Sequence, residues 1–149
     1  MEKIKKLTIY IDGASRGNPG RASFGVAFCN DRGEVFKTYS EAIGKATNNQ
    51  AEYQGSIFAM KKAKALFGKD KARGMTIEIR SDSELLVNQM TGKYKIKEPG
   101  IQKTFLEAWN LSIDFNHLSF KAIPREQNSK ADNLANQALD AETKNIPLF

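Results

Sequence analysis

The chain has 149 residues, 40% hydrophobic and 27% charged, with a formal net charge of +6. That length suits one domain with a sizeable core of its own, and no run approaches the roughly 20 apolar residues of a bilayer-spanning helix, so a membrane span is excluded. The lone Cys29 excludes an internal disulfide.

The start, Met1-Glu-Lys-Ile-Lys-Lys, runs at once into a strand-like segment with no apolar signal region, so a cytoplasmic protein is expected. Leu7, Ile9 and Ile11 alternate with Thr8, Tyr10 and Asp12, the period-two pattern of a strand with one face in a core. Asp12 is expected to end it, because residues 13–20 are dense in turn formers. Phe24, Val26 and Phe28 alternate through a second strand that ends at Cys29, which reads as a buried thiol. Asn30-Asp31-Arg32-Gly33 turns the chain into a third strand, 35–39, completing an antiparallel meander.

Residues 48–67 switch to helical spacing, with Tyr53, Ile57, Met60 and Ala63 on one face, and Gly68 stops the helix. Met75, Ile77 and Ile79 mark a fourth strand, Asp82-Ser83 opens a short helix, 84–90, and Gly92 ends that helix. A longer helix after Pro99-Gly100 carries Ile101, Phe105, Ala108 and Trp109 inward. A fifth strand spans 118–123, and Ser129 caps a last helix with Ala131, Leu134, Ala135 and Ala138 on its buried side. The order βββαβααβα makes strands one, four and five parallel, in a mixed α/β sheet flanked by helices.

Four carboxylates, Asp12, Glu52, Asp82 and Asp132, stand where strands or loops meet helices or turns. Asp12 and Asp82 fall at the carboxyl ends of parallel strands, where open α/β sheets bind ligands. Glu52, in the first turn of its helix, and Asp132, three residues after Ser129, can close over the same spot. Each pair of such charges 4 Å apart costs about 4 kcal/mol at an effective dielectric of 20, so the cluster needs cations or large pKa shifts. Hard oxygen ligands suit Mg²⁺ or Mn²⁺. The positive net charge points to a polyanionic partner, though lysines kept for solubility would give the same sum.

Five motifs together resemble the ribonuclease H family, type 1 group. They are Ile11-Asp12-Gly13-Ala14-Ser15, Arg16-Gly17-Asn18-Pro19-Gly20, Thr47-Asn48-Asn49-Gln50-Ala51-Glu52, Arg80-Ser81-Asp82-Ser83, and Pro124-Arg125-Glu126 leading through Asn128 to Ala131-Asp132. The resemblance implies a five-stranded mixed sheet and a single catalytic domain over residues 1–149, without a separate hybrid-binding domain. It also implies an endoribonuclease that cuts the RNA strand of RNA/DNA hybrids to 5′-phosphate and 3′-hydroxyl ends, and a monomer is expected. Asp12 is then expected to bridge two metal ions. Glu52 and Asp82 would hold the one near the leaving group, Asp132 the one that activates water, with Gly13 beside them.

The resemblance also assigns substrate contacts. Asn18, Asn48 and Asn49, with the backbone at Gly13 and Gln50, would read the 2′-hydroxyl of the RNA strand; Thr47 would hold a DNA phosphate, and Ser83 would line the same groove. Glu84 falls where relatives carry a glutamine that touches RNA. Read alone, Asn18-Pro19 is a turn and Asn48 a helix cap. Lys93, Lys95 and Lys97 alternate with Tyr94 and Ile96, which if extended makes either a phosphate-binding ridge or a solvated face over a small apolar contact. Arg125 stands where many members have a histidine, as in an archaeal-like branch; a guanidinium stays protonated, so it can orient phosphate but not act as a base. The lone His117 reads as a surface residue, and the apolar end, residues 146–149, as a segment docked on the domain. Two other readings stay open: a silent hybrid-binding module, and a nuclease of the same fold acting on DNA duplexes.

Overall fold

The computed structural model describes residues 4–144. Its elements in chain order are β1 (Lys6–Gly17), β2 (Gly20–Cys29), β3 (Val35–Ala46), α1 (Asn48–Phe67), α2 (Lys69–Gly74), β4 (Thr76–Ser81), α3 (Glu84–Met90), α4 (Pro99–Ser112), β5 (His117–Ala122), a 3-10 turn (Arg125–Gln127) and α5 (Ser129–Lys144). The five strands form one sheet in the order β3-β2-β1-β4-β5. β1 and β2, and β2 and β3, pair antiparallel; β4 is parallel to both β1 and β5. The expected mixed sheet and meander are therefore what the chain forms.

The alternating apolar residues sort the two faces. Leu7, Ile9, Ile11, Val26, Phe28, Ile77 and Ile79 are buried together with Tyr53, Ile57 and Met60 of α1. Each large apolar side chain buried in this way contributes about 1.5–3 kcal/mol. The Tyr53 hydroxyl donates to Gln89 Oε1 at 2.7 Å, tying α1 to α3. Helix α5 lies across the other face, on β2, β1 and β3. There a Cβ on Gly25 would stand 2.2 Å from the Ala131 carbonyl oxygen, so glycine is what lets α5 rest on the strand. Among the described residues, no helix is long and apolar enough to cross a membrane.

Several elements differ from the sequence reading. β1 does not end at Asp12: it runs on to Gly17 because Gly13↔Phe24 through Gly17↔Gly20 continue the ladder with β2, satisfying backbone groups that turn-forming side chains say nothing about. β3 likewise reaches Ala46, following β2 through a bulge at Ala22/Ser23 that breaks any alternation. Short α2 has no periodic signature. Trp109 is 45% exposed rather than inward, since it lies one residue, about 100°, round the helix from buried Ala108. Ser129 is the first helical residue and not the cap, because Asp132 N donates to Asn128 O. The expected docking of residues 146–149 falls outside the described residues.

Candidate active site

The site is built where β1 and β4 part. Tyr10↔Arg80 is the last pair of their parallel ladder, and Asp12 lies two residues beyond it, only 6% exposed. Helix α1 brings Glu52 to the same point. Its start is set by a capping box: Gln50 N donates to Thr47 Oγ1 at 3.2 Å, and Thr47 N donates to Gln50 Oε1 at 2.9 Å. Glu52, also 6% exposed, then accepts from Gly13 N at 2.9 Å and from Ser81 Oγ at 3.2 Å. A Cβ on Gly13 would sit 2.4 Å from Glu52 N, so this approach of helix to strand requires glycine.

Asp82 follows the last residue of β4. The turn that carries it is held by Ser83 N donating to Ser81 Oγ at 3.0 Å, and Ser83 Oγ caps α3 by accepting from Leu86 N at 3.1 Å. Asp12, Glu52 and Asp82 each offer an oxygen lying within 4.8 Å of the other two. Asp132, in the first turn of α5, lies outside that set but lines the same cleft. Asn136, one turn further along α5, donates to Asp132 Oδ1 at 3.3 Å.

Burial, reinforced by the neighbouring Glu52 charge and then by Asp82, pushes the Asp12 carboxyl far above its ordinary range. Glu52 is also raised by burial, although its hydrogen bonds from Gly13 and Ser81 pull the other way. Without a counter-charge the cluster therefore retains protons at neutral pH. A divalent cation reverses that balance by favouring the ionised carboxylates, and an all-oxygen donor set suits a hard cation. The residues present fit such an ion.

The carboxylates open into a cleft of about 710 Å³, which Gly13, Asn18, Thr47, Asn48, Asn49, Ser83 and Arg125 also line. Asn18 Oδ1 accepts from Asn48 N at 3.0 Å, so the β1–β2 turn is pinned to the start of α1. Thr47, not Asn48, is the helix cap. Gln50 is turned into the capping box and does not line the cleft, while the Gly13 amide is taken by Glu52. Arg125 is exposed at the cleft edge, near Asp82 and Asp132. Lys95 and Lys97 line a smaller adjoining recess of about 160 Å³ with Asn49 and Ile96, and Lys93 lines neither. Residues 92–97 are not evenly extended: Lys93 N and Tyr94 N both donate to Asn88 O, which turns the chain and leaves Tyr94 52% exposed instead of facing the same way as Ile96. Exposed His117 opens β5 far from the acids, and Cys29 is buried.

Sequence reasoning gave no role to Ser81, Asn128 or Asn136, although Ser81 and Asn128 lie inside the motifs. Asn136 was visible only as a polar residue four positions after Asp132 on the same helical face. Glu98, which also lines the cleft, carried no signal.

A mixed sheet of this strand order, with an acidic cluster at the parting of its central parallel strands, defines a ribonuclease H-like domain. The Reverse transcriptase-like family model matches residues 10–138. RNase H1 from Halobacterium salinarum superposes with a TM-score of 0.82 at 40% identity, covering 91% of this chain and 98% of that one. LC11-RNase H1 in complex with RNA/DNA hybrid gives 0.86 at 40% identity, covering 92% and 99%. The chain also matches the Bifunctional protein Rv2228c of Mycobacterium tuberculosis, 40% identical over 137 residues, and Ribonuclease HI of Halobacterium salinarum, 42% identical over 135. It covers 91% of its own length in both matches but spans only 36% and 65% of those two proteins. The chain belongs to the ribonuclease H family, in its type 1 group.

Proposed function

We propose that this chain is a metal-dependent endoribonuclease that cleaves the RNA strand of RNA/DNA hybrids, leaving 5′-phosphate and 3′-hydroxyl ends. The observation that carries the reading is the triad of buried Asp12 and Glu52 with half-buried Asp82, an oxygen of each within 4.8 Å of the other two, at the base of an open cleft. Uncompensated, that arrangement is electrostatically unfavourable, so it has a reason to persist only if a cation completes it. When bound, two Mg²⁺ ions, or Mn²⁺ in their place, supply an activated water and charge stabilisation at the phosphoryl group.

The chain's own residues divide the remaining work. Asp12, Glu52, Asp82 and Asp132 hold the cations, with the Gly13 backbone beside them. Asn18, Asn48 and Asn49 present neutral amides to the 2′-hydroxyl, which separates RNA from DNA where lysines do not discriminate. Thr47 and Ser83 use their oxygens as caps and keep their hydroxyl protons to donate to phosphate. Arg125 contributes a permanent positive charge at the cleft edge and orients phosphate, so proton transfer here does not depend on histidine. Lys95 and Lys97, which border the recess beside the cleft, add affinity for the hybrid backbone, while Lys93 adds only to the general positive field.

The test is cleavage of end-labelled RNA/DNA hybrid, single-stranded RNA, double-stranded RNA and double-stranded DNA with Mg²⁺, Mn²⁺ or EDTA, beside the Asp82→Asn protein. The expected result is metal-dependent cutting of RNA in the hybrid, lost in Asp82→Asn. Hybrid binding without cutting in either metal would leave a binding module, and cutting of duplex DNA would place the activity elsewhere in the fold's repertoire.

A further inference from the structure

Asn128 is 1% exposed and immediately precedes α5, and its carbonyl accepts from Asp132 N at 3.1 Å. By position it is a helix cap. An asparagine that caps with its side chain does so through Oδ1, which accepts from an amide of the first turn. In this chain Oδ1 is buried and accepts nothing. The side chain is used the other way round: Nδ2 donates to Ile11 O at 2.8 Å and to Asp82 Oδ2 at 3.3 Å. This orientation is required, because a carbonyl and a carboxylate can only accept. A buried, unpaired amide oxygen is unfavourable, and stabilising the helix end does not account for it.

We infer that Asn128 is a positioning residue for the cation site, joining the segments that carry Asp12, Asp82 and Asp132; this rests on the cation-binding reading of the cluster. The β1–β4 ladder stops at Tyr10↔Arg80, and the carbonyl immediately before Asp12 is Ile11 O. One NH₂ group has two hydrogens, and here they serve two acceptors on the two diverging strands. The residue's own carbonyl then holds the first turn of α5, four residues on at Asp132. Wherever these carboxyls ionise together without a cation, their mutual repulsion drives the segments apart. A lysine or arginine here would resist that repulsion but would compete with the cation for the carboxylates. A neutral amide holds Asp82 through one oxygen and leaves the cluster its negative charge.

The test measures Mn²⁺ binding to the full chain by calorimetry, with melting in EDTA, for wild type and Asn128→Ala. The expected result is a folded variant whose Mn²⁺ dissociation constant rises 10- to 100-fold, the range typical of lost supporting hydrogen bonds around metal ligands. A variant that melts earlier but binds Mn²⁺ within twofold of wild type has lost only structural support, which would overturn the inference. If Asn128→Ala does not fold, the wild-type Asn128 side-chain amide resonances decide. They should shift on Mg²⁺ titration together with the Asp82 backbone amide; an Asn128 signal that stays still while Asp82 moves also overturns it. A folded wild type that binds no Mn²⁺ sinks the cation-site reading and this inference together, an outcome distinct from an unaffected variant.

Discussion

The acidic cluster and the lysine segment at the far side of the cleft are built in opposite ways. Asp12, Glu52 and Asp82 come from β1, α1 and the end of β4; the first two are buried, and Glu52 is held by the Gly13 amide and the Ser81 hydroxyl. Lys93, Lys95 and Lys97 lie in an irregular stretch between α3 and α4, exposed, its backbone held at Asn88 O and by Gln102 Nε2 donating to Ile96 O at 2.9 Å. A rigid constellation suits chemistry, which needs fixed distances, and a loose ridge suits attraction of a polyanion, which does not. Changes at the cluster should therefore act on kcat and on folding, and changes at the ridge on KM.

The largest effect tests the first half of that division. Asp12→Asn should lower kcat by roughly 10³-fold with Mg²⁺ present, while KM for hybrid stays within a few-fold, as steady-state cleavage would show. A fall in affinity with kcat intact would break the division. Next in size is Gly25→Ala: its Cβ meets the Ala131 carbonyl at 2.2 Å, so α5 must shift, at a cost of about 1–3 kcal/mol in denaturant unfolding, with Asp132 displaced as well. The same change at Gly33, where a Cβ meets nothing within 4 Å but φ is +77°, disturbs only the β2–β3 turn and should leave kcat alone.

The pH dependence sharpens the comparison further. In EDTA the folded chain holds protons on Asp12 and Glu52 that the unfolded chain releases from about pH 4 upward. Because these folded-state values are raised, the stability they contribute is present in acid and is lost as pH rises toward and past neutral. For one excess proton the loss is about 2–3 kcal/mol between pH 5 and pH 7. Melting curves in EDTA should show that slope, Mg²⁺ should restore the stability, and Asp12→Asn should flatten the slope. An unchanged slope in the variant would mean that the cluster is not its source.

The same contrast separates what the sequence reveals from what it conceals. Strand alternation at Leu7, Ile9 and Ile11 and the Thr47–Glu52 motif are local patterns with direct consequences, so the sheet, α1 and the four acids that line one cleft are legible in the sequence. Interactions between segments distant in the chain were not legible. The continuation of β1 to Gly17 depends on its partner strand, and the seat for α5 depends on Gly25, which looks like any strand glycine. Ser81 and Asn128 lay in plain view within motifs, yet their work is done toward Glu52 and Asp82 across 29 and 46 residues of chain. Trp109 failed for a simpler reason: a wide apolar stripe does not say which of two adjacent residues, Ala108 or Trp109, points inward.

The smallest expected effect tests the ridge. Lys95→Ala with Lys97→Ala should raise KM for hybrid about 3- to 10-fold near 0.1 M salt and leave kcat within twofold. The two lysines border a recess that Asn49 shares with the main cleft, so their charges act on the same bound polyanion. If they contact phosphates, each removes about one unit from the slope of log affinity against log salt, and the variant should approach wild type as salt rises. Lys93, which lines neither recess, provides the internal control. An equal loss at Lys93 would mean that the segment contributes only to the overall field of a chain carrying +6, and not to a built phosphate contact.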